Sequence, residues 1–319
     1  MKNLLLFGLF ITSSFLIGCI SSRTVGGKSP SSSPKQLLLR DEGLSQLSYV
    51  DFEYLEKSWN VPIPAGRDLQ LVGRGRVLVG TGNGYEERDI GTGQKVAELS
   101  TFKGTIAARR LRNGNTLLTG LNWQGKSGIV LLEVDGNGSV NKTIAYPGFE
   151  YVRLVRETDL GNFLITADDV VFEGRPDGSI IWQANLDTKR KSQHAWQAVR
   201  LAGGRTMVSG GFSANLQVFD ESGSIVDTIG GPAEVRPYFF AGFQILKNGN
   251  IVVANWQGHG ADMGAKGNQL LEYTPVGKLV WSWQQDPAKF SSVQGVIVLD
   301  GLDSDRPHTE GKDGSLEAF

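Results

Sequence analysis

The chain holds one cysteine in 319 residues, so neither an internal disulfide framework nor a cysteine-rich metal site is open to it. Histidine is almost as scarce, at three. A net charge of −1 gives no reason to expect a nucleic-acid partner. There is no Gly-x-Ser-x-Gly elbow, His-Glu-x-x-His helix, phosphate loop or EF-hand loop. Outside the N-terminus no stretch carries the 3.6-residue apolar period of an amphipathic helix. A helical repeat is thereby excluded, and neither a metal nor a cofactor is expected.

Glycine is plentiful, with 42 residues, and it is spaced with a period. The phrase Leu111-Arg-Asn-Gly-Asn-Thr-Leu-Leu-Thr-Gly120 recurs in altered form around Gly75, Gly161, Gly204 and Gly249, at spacings of 39, 47, 43 and 45 residues counting from Gly75 through Gly114. Each copy is an apolar or alternating run, a glycine turn, and a second run rich in Val, Leu, Ile and Thr, which predicts a tight β-hairpin. Asn113-Gly114 and Asn248-Gly249 suit type I′ turns. A second hairpin follows each copy, turning at Gly93, Gly138, Gly178, Gly223 and Gly277. Four strands per period describe a propeller blade.

The ends complete the count. Residues 36–59 are strand-like but lack the opening phrase of a repeat, and Val293-Gln-Gly-Val-Ile-Val-Leu-Asp-Gly301 is an opening phrase with nothing strand-like after it. Joined, they make a blade from both termini that covers the exposed edges of the ring. The expected fold is all-β: a six-bladed β-propeller of four-stranded antiparallel blades over 36–301, monomeric, with a polar, loose tail at 302–319.

The N-terminus reads as an export segment. Met1-Lys2 supplies charge, Leu4 to Ile17 an apolar run too short for a comfortable membrane span, and Leu16-Ile-Gly-Cys19 its close. That ending resembles the lipobox of bacterial lipoproteins, which implies a signal peptide at 1–18 and lipidation of Cys19. The membrane is then a partner through Cys19, and stable anchoring follows from several acyl chains on one residue. Ile20 and Ser21, neither of them acidic, follow the cysteine directly, so the resemblance to lipoproteins implies the cell envelope as the location, at the outer membrane in a Gram-negative cell. Residues 19–35 have the Ser, Gly and Pro content of a flexible tether, with a reach of roughly 20 to 25 Å.

Arg88-Asp-Ile-Gly-Thr-Gly-Gln-Lys95 resembles the Asp-x-x-Thr-Gly blade motif of the PQQ-like (quinoprotein alcohol dehydrogenase-like) repeat superfamily, and Gly178-Ser-Ile-Ile-Trp182 and Gly277-Lys-Leu-Val-Trp281 resemble its Gly-x-x-x-Trp ending. The resemblance covers about 59–301 and implies the propeller fold. Quinone-dependent members are typically eight-bladed, and many other relatives bind or scaffold, so no quinone is expected here.

Alternating strand direction puts both glycine turns of a blade on one face, and the middle and inter-blade loops on the other. The second face carries the unusual residues, and function concentrates in loops on a rigid scaffold. An insert at 255–268 stretches one repeat, and its Asn-Trp-Gln-Gly also occurs at 122–125, three blades away. Candidate ligand-binding residues are Trp123, Tyr151, Arg153, His194, Trp196, Trp256, His259 and Asp262, with Lys189, Arg190, Lys191, Arg236 and Lys289 in adjoining loops. Trp123, His194, Trp196, Trp256, His259 and Asp262 are expected to border one depression, where Trp256→Ala and His259→Ala cost little stability and Trp281→Ala costs much. Aromatic faces with charged donors suit a saccharide, a small envelope molecule or a protein loop. Two alternatives remain open: a lyase or hydrolase using His194 and His259, and a scaffold without a pocket.

Overall fold

In the computed structural model, residues 33–187 and 194–319 can be described. The signal segment, Cys19, most of the tether, and Lys189, Arg190 and Lys191 lie outside these residues.

The described residues form six four-stranded antiparallel sheets and one two-stranded hairpin, with no α-helix. No helix among them is long and apolar enough to cross a membrane. Five blades run in sequence, opening with the strands Leu69–Gly73, Ala107–Arg110, Val155–Glu157, Ala198–Arg200 and Phe239–Ile245. The sixth is composite. Val293–Val298 pairs antiparallel with Gln36–Asp41, matching Leu37 with Val298, and Gln46–Asp51 and Trp59–Pro62 complete the sheet.

Burial explains the composition of the strands. A middle strand such as Ile129–Val134 is covered on both faces by neighbouring blades, so its apolar residues run on without the usual alternation, whereas outermost strands such as Lys95–Leu99 and Ile225–Gly230 are largely exposed. At the closing seam Leu37, Leu38 and Leu39 are fully buried. Each such side chain contributes roughly 1.5 to 3 kcal/mol relative to exposure. The Asp300 carboxylate accepts hydrogen bonds from the backbone N–H groups of Lys35 and Gln36, pinning the first strand to the last turn.

The hairpin turns depart from expectation in type. Gly114 and Gly249 have φ of 88° and 87°, but Asn113 and Asn248 are not in the positive-φ region. The Gly114 N–H donates to Leu111 O, and the Leu111 N–H to Asn115 O. This is a type I turn closed by a left-handed glycine bulge, not type I′. At Gly114, Gly161 and Gly249 the glycine of the repeat column is the one left-handed residue of the turn, whereas Arg74 is left-handed beside Gly75 and Gly203 beside Gly204.

The tail is also corrected. Residues 302–319 are not loose: His308–Glu310 and Leu316–Ala318 pair as a hairpin. Its turn has the same form as those in the blades, with the Gly314 N–H donating to Gly311 O and the Gly311 N–H to Ser315 O. It sits on the glycine-turn face, where the Arg74 and Gly75 N–H groups donate to Asp305 and Ser304, and Ser315 bridges to Ile245. From there Glu310 enters the channel and meets Arg109 and Arg156, while Arg156 also grips Asp68 through Nη1 at 2.7 Å. Burial alone would raise the Glu310 carboxyl, but the guanidinium charges of Arg109 and Arg156 outweigh it and hold it at about 2.

Candidate ligand-binding site

The opposite mouth is open. It holds a cavity of about 560 Å³, bordered by Tyr151, Arg153, His194, Trp196, Trp256 and His259 among the sequence-derived candidates. Trp123 and Asp262 do not border it. The Trp123 ring lies across Gly120, whose added Cβ would fall 2.6 Å from it, and Nε1 donates to Lys103 O at 3.2 Å. Asp262 is exposed, at the turn of Gly260. The shared Asn-Trp-Gln-Gly phrase misleads because of register. Trp256 stands seven residues after Gly249 and ends a strand, whereas Trp123 stands nine after Gly114, beyond the end of its strand at Leu121.

Rings occupy one side of the rim in an arc. Tyr151 lies 4.8 Å from the His194 ring, His194 5.8 Å from Phe212, Phe212 4.8 Å from Phe239, Phe239 5.2 Å from Trp256, and Trp256 4.7 Å from His259. Trp256 is only 7% exposed and belongs to the core cluster beneath the mouth. It is therefore both lining and core, contrary to the expectation that its truncation costs little. His259 is a rim residue with 82% of its side chain exposed.

Each histidine has a carboxylate. His194 Nδ1 lies 3.0 Å from Asp168 Oδ1, and His259 Nδ1 lies 2.8 Å from Glu42 Oε1. Burial lowers the His194 pKa, the Arg153 charge adds to that, and Asp168 opposes it. Trp256 Nε1 donates to Glu42 Oε2 at 2.8 Å, so both oxygens of Glu42 are engaged. No group of three or more His, Cys, Asp or Glu able to hold a metal occurs among the described residues.

Three arginines, Arg40, Arg67 and Arg153, also border the cavity. Arg153 lies over the Tyr151 ring at 4.2 Å and the Trp196 ring at 5.0 Å, and Arg67 over Trp196 at 5.4 Å. Arg40 is 2% exposed, donates to Pro64 O through Nη2, and has no hydrogen-bond partner for Nη1. Arg153 Nε is likewise buried without one. Burial lowers Arg40 and Arg153 to about 9 and Arg67 to about 10, and the charge of Arg67 presses further on the other two.

Arg40, Arg67, Glu42 and Phe212 were missed in the sequence, although a signal for one of them exists. Arg67, Ile106, Arg153 and Trp196 each stand eight residues before the glycine of their repeat, and all four border the cavity. Arg236 and Lys289 do not border it. Arg236 donates to Lys266 O, and Lys289 lies 3.7 Å from Asp286.

Solved structures share this fold. A protein of unknown function from Bacteroides caccae aligns at 23% identity and a TM-score of 0.66, over 83% of this chain and 98% of its own. A streptogramin B lyase aligns at 14% identity and 0.53, over 90% of this chain and 95% of its own. Virginiamycin B lyase from Staphylococcus aureus aligns at 12% and 0.51, over 81% and 84%. No protein-family model matches the sequence, and no curated protein matches it either. At these identities the likeness shows the six-bladed propeller and nothing finer.

Proposed function

We propose that the protein is a lipid-anchored binding propeller of the bacterial envelope whose open mouth takes a small ligand of saccharide size. The observation that carries this reading is the cavity itself. It is preformed, within the roughly 300 to 1,000 Å³ range usual for ligand pockets, and walled on one side by an arc of rings. Toward the opposite end the final hairpin places Glu310 on Arg109 and Arg156. A pure scaffold has no need of such a cavity. The anchor rests on Leu16-Ile-Gly-Cys19 and the resemblance to the lipobox, and the Asp-x-x-Thr-Gly and Gly-x-x-x-Trp motifs keep the PQQ-like repeats as the proposed kinship.

The test is a ligand screen on the full purified chain by glycan array and thermal shift, repeated with Tyr151→Ala. Binding is expected to fall at least about tenfold in the variant, corresponding to an aromatic contact of about 1.4 kcal/mol. Hits unaffected by Tyr151→Ala, or no hits in the screen, would remove the mouth as the binding site. The catalytic alternative retains one supporting observation: two histidine–carboxylate pairs face one cavity. It requires that a screened ligand be turned over, and that His194→Ala or His259→Ala abolish the turnover.

A further inference from the structure

The channel treats its arginines in two ways. In the half closed by the final hairpin, Arg109 and Arg156 are matched by Asp68 and Glu310, all four with 10% or less of the side chain exposed. Toward the mouth, Arg67, Arg153 and Arg40, the last of which also borders the other half, form no ion pair among the described residues, and two of their nitrogens are buried without a hydrogen-bond partner. The carboxylates nearby are committed elsewhere. Asp41 accepts from the N–H groups of Leu44, Ser291 and Ser292, and Glu42 is held by Trp256 and His259.

Three guanidinium groups gathered without an ion pair, and opposed only from a distance by Glu42, Asp68, Glu86 and Asp168, are costly to a fold, because a buried charge needs a partner and like charges repel. A protein that supplies two carboxylates to the neighbouring arginine pair has the means to pair these as well. Resting on the reading of the mouth as a binding site, we propose that the ligand carries its own anionic group, a carboxylate or phosphate borne on a sugar-sized or aromatic ring, seated on Arg40, Arg67 and Arg153 with the ring against Tyr151 and Trp196. Guanidinium groups suit this role through paired N–H donors that match the oxygens of either anion. The flanking rings hold the guanidinium planes of Arg67 and Arg153 in place before the ligand arrives.

Matched probes test the proposal by calorimetry on the full chain: glucuronate against glucose, glucose 6-phosphate against glucose, and benzoate against benzyl alcohol. At least one anion should bind about tenfold or more tightly than its neutral partner, and more weakly as sodium chloride is raised. The pair that shows the difference identifies which source of the anion the site accepts. Arg67→Gln and Arg153→Gln should each weaken that anion by about ten- to a hundredfold, the range of a charge-assisted hydrogen bond, and leave neutral probes unchanged. Ligand-free Arg67→Gln should melt no lower than wild type, since it relieves repulsion. A lower melting temperature would mark the arginines as structural and overturn the proposal. Neutral probes that bind as well as anions, and are lost only in Tyr151→Ala, would overturn it while leaving the binding mouth intact. If no probe is sensitive to any of these three variants, both readings fall together.

Discussion

Glu310→Gln removes one charge from the buried quartet while keeping the shape of the side chain. Glu310 faces Arg109 Nη2 and Arg156 Nε, the latter at 2.7 Å, and both guanidinium groups are 6% exposed. After the change Asp68 alone would face two positive charges. Breaking a buried pair from one side costs about 3 to 5 kcal/mol. Linkage gives a second figure. With a carboxyl pKa of about 2 folded and 4.5 unfolded, the ionised form contributes about 3 kcal/mol at neutral pH. Because the folded pKa is the lower one, this contribution is complete well above pH 4.5 and disappears as the pH falls through about 2, with less than half left near pH 3. Urea unfolding followed by tryptophan fluorescence should show the variant about 3 kcal/mol less stable at pH 7, a loss of roughly 5 to 10 °C in melting temperature. The gap should narrow as the pH is lowered to 3. Equal stability at pH 7, or a gap that does not narrow in acid, would refute the reasoning.

Trp256→Ala should cost about 3 to 5 kcal/mol, because the ring is core as well as rim, and Trp123→Ala about 1 to 2 kcal/mol, both read from denaturant midpoints. Deleting 36–58 removes two strands of the composite blade, Gln36–Asp41 and Gln46–Asp51, and should yield aggregated or unfolded protein by size-exclusion chromatography, whereas deleting 20–32 should leave the melting temperature within about 2 °C of wild type. Cys19→Ala should move the protein out of the detergent phase in a phase-partition assay, and unchanged partitioning of a processed variant would end the lipoprotein reading.

The ring was legible in the sequence because closure by repetition leaves a column of glycines, each required by a left-handed turn residue. That column also gave the blade count and the composite closure. The final hairpin was not legible from composition, since its strands are short and polar and its partners, the ion pairs of Glu310 and the backbone of the first glycine turn, lie far away in the chain. Its turn carried the signal all the same: Asp313-Gly314-Ser315 matches Asp177-Gly178-Ser179, with the same aspartate cap on the serine N–H. At the mouth, rings were found more readily than charges. Tyr151, His194 and Trp196 stand out in a local window, whereas Arg40 comes from the composite blade and reaches the cavity only because the termini meet. Trp123 was misplaced because a shared phrase was given more weight than its offset from the glycine.

The pairing of Leu37 with Val298 also bears on how the molecule is made. The innermost strand of the composite blade is synthesised after all five other blades, and its partner before any of them. Five blades can assemble as they emerge, but the first blade's flank and the waiting three-stranded edge stay uncovered until Val293–Val298 arrives. Such long-range pairing slows folding, and uncovered strand edges invite association with other chains. If the protein is exported, it would cross the membrane unfolded and complete its ring only on the far side. The Glu310 hairpin, still later in the chain, would then enter the channel after the circle has closed, making capture of its carboxylate by Arg109 and Arg156 a step that follows closure.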